Sequence, residues 1–481
     1  MKTNEGAIQK EHSLDHCVEF FSKAGSIYDT PTKNTFYSNS ENILQLFVNA
    51  WITDNKTTFK LLLWVRDCRG GAGNRSGFRK CLGWLALNEP EWIKTNIDWI
   101  AEIGRWDDLR TLFGTACEAE AVSIWFKAIL FDGNKLAAKW AKRTDIPLYL
   151  EYKDLSVKSV NMGDFRRFLS KHRDTVETKM CDKQWKKIIY KHVPSVAMSR
   201  YTKAFKKHDE EGFEDYKDHL KKGETKINAS VLFPHDCVRT VKNGDKDIAN
   251  AQFDALPNYM NTDENIMVLC DSSGSMEQGI GGSIEAIDIS MGLALYCSGK
   301  MPESSPFYKK FIQFKSESKL TDWKGISFDM ALNPNRGVFD GAVGVTRIDK
   351  ALDLILNTAS MFNVGEDNMP KMLLICSDMQ FSDGTIDNWT NRHINLPDYV
   401  PETEVERSLK KWDVKGYNRP KIVYWNLCPY GGQPDTVKSK NIALVSGFSP
   451  SILKSVLSCD DFSPRAIMMK TLEEYHIKKP E

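Results

Sequence analysis

Five short apolar runs, 266–270 (IMVLC), 311–314 (FIQF), 372–376 (MLLIC), 422–427 (IVYWNL) and 442–445 (IALV), are confined to the second half of this 481-residue chain. Helical stretches lie between and after them, at 283–298, 346–359, 402–412 and 450–458. Runs this short suit strands buried on both faces, and their alternation with helices predicts an open, doubly wound parallel sheet covered on both sides. In TRIDKALDLILNTA, Ile348, Leu352 and Ile355 fall on one face, as a helix covering a sheet demands. Ligands of such sheets bind at the carboxyl ends of the strands.

The first half has a different pattern. LQLFVNAWI, FKLLLWVRD, FRKCLGWLAL, WIKTNIDWIAEI, LRTLF and AVSIWFKAIL follow one another with apolar residues three and four apart and brief polar or glycine breaks. Pro90 suits the first turn of a helix, and Asn161 or Asp164 caps the one that starts near Phe165. Paired helices that each bury the face of the next describe a HEAT-like α-solenoid, a ring or a horseshoe. The polar stretch 243–262 reads as a linker, which gives an all-α module over 1–242 and an α/β domain over 263–481.

Hydrophobic content of 41% and charged content of 27% are those of a soluble globular protein; no apolar stretch approaches the length of a membrane span, and the N-terminus MKTNEGAIQKEHSLDH lacks the apolar core expected of a signal peptide. The eleven cysteines are scattered, with no C-x-x-C pair, so reduced core thiols in a cytoplasmic protein are expected. Net charge of +1 hides a division. Residues 1–250 hold 41 Lys and Arg against 34 Asp and Glu, and the remainder holds 24 against 30. The excess peaks at 165–207, where 13 basic residues face three acids. The two halves are suited to different partners.

MVLCDSSGSM, residues 267–276, places Asp271 just beyond the first strand. Thr346, which closes GAVGVT before a helix, and Asp378, which follows MLLICS, occupy similar edge positions. Asp271, Ser273, Ser275, Thr346 and Asp378 form an all-oxygen set without thiol or imidazole, the chemistry that Mg2+ or another hard divalent cation prefers. Ser273 and Ser275 are expected to bind directly, Thr346 directly or through water, and the carboxylates mostly through water, with one position open to an outside carboxylate. Catalytic uses fit less well. A phospho-aspartyl enzyme is expected to carry an acid where Ser273 stands, a nucleophile elbow needs G-x-S-x-G, and a phosphate loop needs lysine after its last glycine. Serines and an aspartate after a strand also serve often as turn residues and helix caps.

These five positions resemble the metal-ion-dependent adhesion site of the von Willebrand factor A fold, over about residues 263–475. The last element of that motif usually reads aspartate then glycine, whereas here it is SDMQFSDG. The element is therefore either Asp378 or Asp383, and the end of the strand at Ser377 favours Asp378.

In the helical half, WVRDCRGGAGNRSGFRK (64–80) sets four glycines and five basic residues between two apolar helices. Without a preceding strand it is weak evidence for a phosphate loop. It is either a tight interhelical turn or a turn whose guanidinium groups meet nucleic-acid phosphate. RDCRGGAGNR, EIGRWDDL (102–109) and VPSVAMSRYTKAFKKHDEEGFEDY (193–216), followed by an A-type domain, together resemble the TROVE-like family, relatives of the Ro autoantigen. The resemblance implies helical repeats bent into a ring closed by the A domain, with single-stranded ends of misfolded small RNAs in a basic hole and structured non-coding RNA outside. Such a ring has little need of a second subunit, so a monomer is expected. Cations that track phosphate, interleaved with Phe165, Phe168, Trp185, Tyr190, Tyr201 and Phe205 as stacking faces, would serve that use. Arg66, Arg69, Arg75, Arg166, Arg167, Arg200 and Lys203 are the expected RNA contacts. The expectation is a non-enzymatic, cytoplasmic ribonucleoprotein component that carries Mg2+ and offers it to an acidic protein ligand. The alternative is a metal-dependent interaction scaffold without RNA. A metal-assisted phosphoester hydrolase is a third idea, weakened because no histidine or lysine is placed as a base at these strand ends.

Overall fold

The computed structural model describes residues 7, 13–27, 42–151, 161–227, 229, 231–277, 279–281, 284–336, 338–341, 343–382, 403–428, 434–436 and 439–480. The protein is mixed α and β: helices fill the N-terminal part and a six-stranded, mostly parallel sheet organises the C-terminal part. In chain order the strands are β1 (Ile266–Asp271), a small antiparallel hairpin of β2 (Gly279–Gly281) and β3 (Ile284–Glu285), then β4 (Lys310–Phe314), β5 (Ser318–Asp322), β6 (Met372–Ser377), β7 (Lys421–Asn426) and β8 (Ile442–Ser446). Main-sheet order is β5-β4-β1-β6-β7-β8. All five apolar runs are strands of it.

The apolar runs become strands because both faces of them are covered. Every residue of β1 and β6 is buried. The helix Ala286–Lys300 packs on β1, β4 and β6, while Ile348–Met361 packs on β4 and β5. Ile348, Leu352 and Ile355 are buried on the face the sequence assigned to the sheet. The antiparallel strand of the main sheet, β5, has no apolar run; in SKLTD, Lys319, Leu320 and Asp322 are exposed around buried Thr321. A lysine-bearing edge strand is protected from further pairing, and for the same reason it lacks the signature of a core strand.

From β1 the chain moves outward to β4 and β5, then crosses back to β6 and continues outward to β7 and β8. The order therefore reverses between β1 and its two parallel neighbours. β1 pairs Leu269 with Ile312 of β4 and with Ile375 of β6, so the carboxyl ends of β1 and β6 lie side by side. In open α/β sheets this switch point is where a crevice for a ligand opens.

The N-terminal part holds fifteen α-helices among the described residues. Pro90 starts Pro90–Thr95, and Asn161 caps Met162–His172 by accepting from Asp164 N at 2.9 Å, both as the sequence predicts. The stretch 243–262 departs from its reading as a linker. It contains the helix Lys246–Asp254, which buries Ile248, Ala249, Gln252 and Phe253. Its polarity misled because Gln252 is satisfied internally by Ser199 and Thr240, while Phe253 stacks on Phe328 of the α/β part at 4.1 Å.

Both ends of the helical part pack on the sheet part. At the first end, His16–Ala24 lies on β8, Ser446 Oγ donates to Phe21 O at 2.7 Å, and Gly25 sits against Gly447. The glycine-rich turn joins here: Ser451 Oγ donates to Gly70 O at 3.0 Å, Ala72 touches Gly447, and Tyr475 OH donates to Asp67 at 2.9 Å. At the other end, Gly292 lets Ala286–Lys300 approach the backbone of His235, Lys242 pairs with Asp288 at 2.6 Å, and Asn250 and Asp329 bond twice. Among the described residues no helix is long and apolar enough to cross a membrane, and all eleven cysteines are free thiols.

A methyl on Gly71 would stand 2.0 Å from Trp64 O, whereas one on Gly365 would meet nothing. Gly71→Ala is therefore expected to cost about 3 kcal/mol of stability in urea unfolding, and Gly365→Ala about 0.5 or less.

Candidate metal centre and cationic surface

The five predicted donors converge at the switch point. Asp271 ends β1, Ser273 and Ser275 lie in the turn after it, Thr346 precedes the helix Ile348–Met361, and Asp378 follows β6. Backbone bonds hold these loops together: Gly274 N donates to Gly344 O at 3.1 Å and Ser382 N to Thr346 O at 2.8 Å. Ser273 N donates to Asp271 Oδ1 at 2.9 Å, and the hydroxyls of Ser273 and Ser275 lie 3.1 Å apart. Ser377 was not foreseen. Its hydroxyl donates to Asp271 Oδ2 at 2.5 Å and accepts from Met379 N at 3.0 Å, which aims the first carboxylate. Its place as the last strand residue before Asp378 was the only signal.

Asp271, Ser273, Thr346 and Asp378 are 0% exposed and Ser275 is 4% exposed. Burial, then the neighbouring Asp378 charge, raises the pKa of Asp271; burial raises that of Asp378, with Ser275 close enough to oppose the shift. Asp378 Oδ1 accepts from Gln380 N at 3.0 Å, but Oδ2 receives no donor in hydrogen-bonding geometry. Neither carboxylate is ion-paired among the described residues. Two buried, mutually repelling acids with hydroxyls beside them constitute an anionic, hard-oxygen pocket, and a small divalent cation fits it. Among the described residues no three His, Cys, Asp or Glu side chains form a metal-holding group, so an ion here relies on hydroxyls as much as on carboxylates. The expected opening to an outside carboxylate is not at the surface, since the donors are covered.

Asp383 lies outside the described residues. Asp378 has a backbone argument in its favour: Met379 after it adopts φ 62°, the left-handed region that glycine enters most easily. Met379 thus follows a backbone course that is also open to glycine. Met379 is also buried. Met379→Gly would relieve about 1–2 kcal/mol of backbone strain and remove a core side chain worth about 2–5 kcal/mol. Net destabilisation of about 1–3 kcal/mol is expected in urea unfolding.

The predicted RNA contacts divide. Arg66 is corrected: it is 4% exposed, and its Nε donates to fully buried Asp108 at 2.6 Å. Arg79 Nε donates to the other oxygen at 2.6 Å and Arg105 N to Oδ2 at 2.9 Å. The sequence reading took Arg66 for a surface cation because its counter-ion lies 42 residues away, in EIGRWDDL. Next to it, burial would raise the pKa of Asp107, but hydrogen bonds from Arg105 and Arg79 prevail and hold it at about 2, below the ordinary 3.8. That contribution to stability is present above about pH 4 and is lost as pH falls through 2. Asp107→Asn is therefore expected to lower stability at pH 6 and to match the unsubstituted chain near pH 2, as urea titrations at each pH would show.

Arg69, Arg75, Arg166, Arg167, Arg200 and Lys203 are exposed. Arg69 touches Glu102 O, and Arg167 pairs with Asp164 at 2.6 Å. Arg75 has a lowered pKa, from burial of its stem and then from Arg105 and Arg79. Arg200, Lys203 and Lys207 fall at i, i+3 and i+7 of Ser195–His208, whose opposite side buries Met198, Thr202 and Phe205. Lys183, Lys186, Lys187 and Lys191 lie exposed just before that helix. Lys206 is paired with Asp245 and Lys179 with Asp174. None of Lys183, Lys186, Lys187, Lys191, Arg200, Lys203 or Lys207 pairs with a carboxylate among the described residues.

The aromatics are corrected as well. Phe165, Tyr190 and Phe205 are core residues, and Phe168 and Tyr201 pack half-buried against it. Trp185 is half-buried and stacked on His208 at 4.3 Å, and Phe168 on His172 at 4.0 Å. Helical spacing put these rings on the inner face, so they are not free to stack on bases.

Two family models match the chain and meet where β1 begins. The C-terminal one, Domain of unknown function DUF7788, covers residues 265–480. A relative in Acanthamoeba polyphaga mimivirus, "Uncharacterized protein L728", is 24% identical over 98% of this chain and 87% of its own length, so the two parts occur together in both. The N-terminal model, Domain of unknown function DUF2828, matches residues 3–145 and 153–268, more than half of the chain, and the protein belongs to that family.

Proposed function

We propose that the protein binds RNA through the phosphate backbone along its helical part, as the Ro-like proteins it resembles do, with a divalent cation held in a von Willebrand factor A-like domain. The observation that carries this is the set of exposed, unneutralised cations at Lys183, Lys186, Lys187 and Lys191 and along the Arg200–Lys203–Lys207 stripe. A protein surface normally intersperses both signs, and an uncompensated stripe attracts a polyanion. Arg166, Arg167, Arg69 and Arg75 extend the candidate surface, while Arg66 is withdrawn to a structural role. With the aromatic rings turned inward, grip by phosphate contacts with little sequence readout is favoured over base stacking.

The docking of both ends of the helical part on the α/β part supports the closed, ring-like arrangement of a HEAT-like solenoid. No catalytic step is assigned. A scaffold that presents its metal to a partner's carboxylate is less favoured, because all five donors are covered.

Ultraviolet crosslinking in cells followed by sequencing is expected to recover small RNA; recovery no greater than that of an unrelated protein of similar charge would sink the proposal. Binding to single-stranded RNA should weaken steeply with salt, by a log–log slope of about −0.7 per phosphate contact. Arg200→Glu with Lys203→Glu should weaken it about tenfold or more and flatten that slope, while Arg66→Lys should act on stability rather than on the slope.

A further inference from the structure

A metal that serves as an adhesion site must show a coordination position to solvent. Here the donors are 0–4% exposed, and the cover is part of the chain itself. The turn Asp378–Ser382 runs from one donor loop to another: Gln380 N holds Asp378 Oδ1, and Ser382 N reaches the Thr346 loop. Met379, Gln380, Phe381 and Ser382 are all buried. The turn is also bonded to the N-terminal part of the chain, because Ala7 N donates to Phe381 O at 3.3 Å and Ala7 is 1% exposed. The turn that follows the last donor and Ala7, which bonds to it, are thus buried together with the donors.

Resting on the metal assignment proposed above, we infer that the divalent cation is an internal clasp rather than a docking point. Asp271, Ser273, Ser275, Thr346 and Asp378 draw three loops of the sheet edge onto the ion. The Asp378–Ser382 turn so fixed then holds the segment at Ala7 that leads into His16–Ala24. The ion strengthens the joint between the two parts, and the joint in turn encloses the ion. No partner carboxylate completes the site.

The test uses the full chain, Mn2+ as probe and three variants. Bound Mn2+, followed by the electron paramagnetic resonance of the free ion, is expected to leave slowly on addition of EDTA. Ala7→Pro removes the N–H that reaches Phe381 and should speed release about fivefold, the worth of one hydrogen bond of about 1 kcal/mol. Ala7→Gly keeps that N–H and should release at the original rate. Mn2+ should also raise the thermal midpoint of the chain, and Ser273→Ala with Asp378→Asn should abolish the rise. Release that is complete on mixing, or that is the same in Ala7→Pro as in the unsubstituted chain, overturns the clasp and leaves the metal assignment standing. Failure of the unsubstituted chain to retain Mn2+ overturns the metal assignment itself.

Discussion

The ion pairs around Asp108 are the constraint on which the joint depends. A carboxylate with no solvent exposure must be compensated, and Arg66, Arg79 and the Arg105 backbone do so from three segments. Arg66 is the last residue of its helix, so its pairing fixes the point from which the glycine-rich turn departs. The turn then folds back on Trp64 so tightly that only glycine fits at 71, and its far side meets Gly447 and Ser451 at the end of β8. Two sequence motifs that look separate, RDCRGGAGNR and EIGRWDDL, are the two halves of this one arrangement.

Five of the six main-sheet strands were legible to within a residue or two because they are continuous apolar runs, and burial on both faces leaves few other uses for such runs; β5, which has no such run, was not. The converging donors were legible for a related reason: in a doubly wound sheet, the residues that follow β1 and β6 have only one place to go. What stayed hidden was whatever depended on partners distant in sequence. Arg66 and Asp108 each look like surface charges until the fold brings them together. Phe165, Tyr190 and Phe205 carry the periodicity of a core face, and only the lysines among them suggested another use. The polar helix Lys246–Asp254 escaped notice because Gln252 finds its partners on two other helices.

Met379 links the two kinds of evidence. Read as letters, SDMQFSDG departs from the Asp-Gly of the adhesion motif and leaves two aspartates in competition. Read as backbone, Met379 after Asp378 takes a positive φ, the region that glycine enters most easily, so the residue that follows Asp378 keeps a course open to glycine. A single sequence contains no sign of this, since a methionine is an uncommon occupant of that region.

The contacts that join the two parts also span nearly the whole chain: Ala7 with Phe381, Gly25 with Ser446, Gly70 with Ser451, and Asn96 with Lys478. Closing loops of that length is entropically slow and gains no contact until both ends exist. During synthesis the early helices must therefore wait, with the turn at 67–74 and the face of His16–Ala24 unburied, until β8 and the residues after it leave the ribosome. Maturation of the helical part is thus tied to the arrival of the last strand.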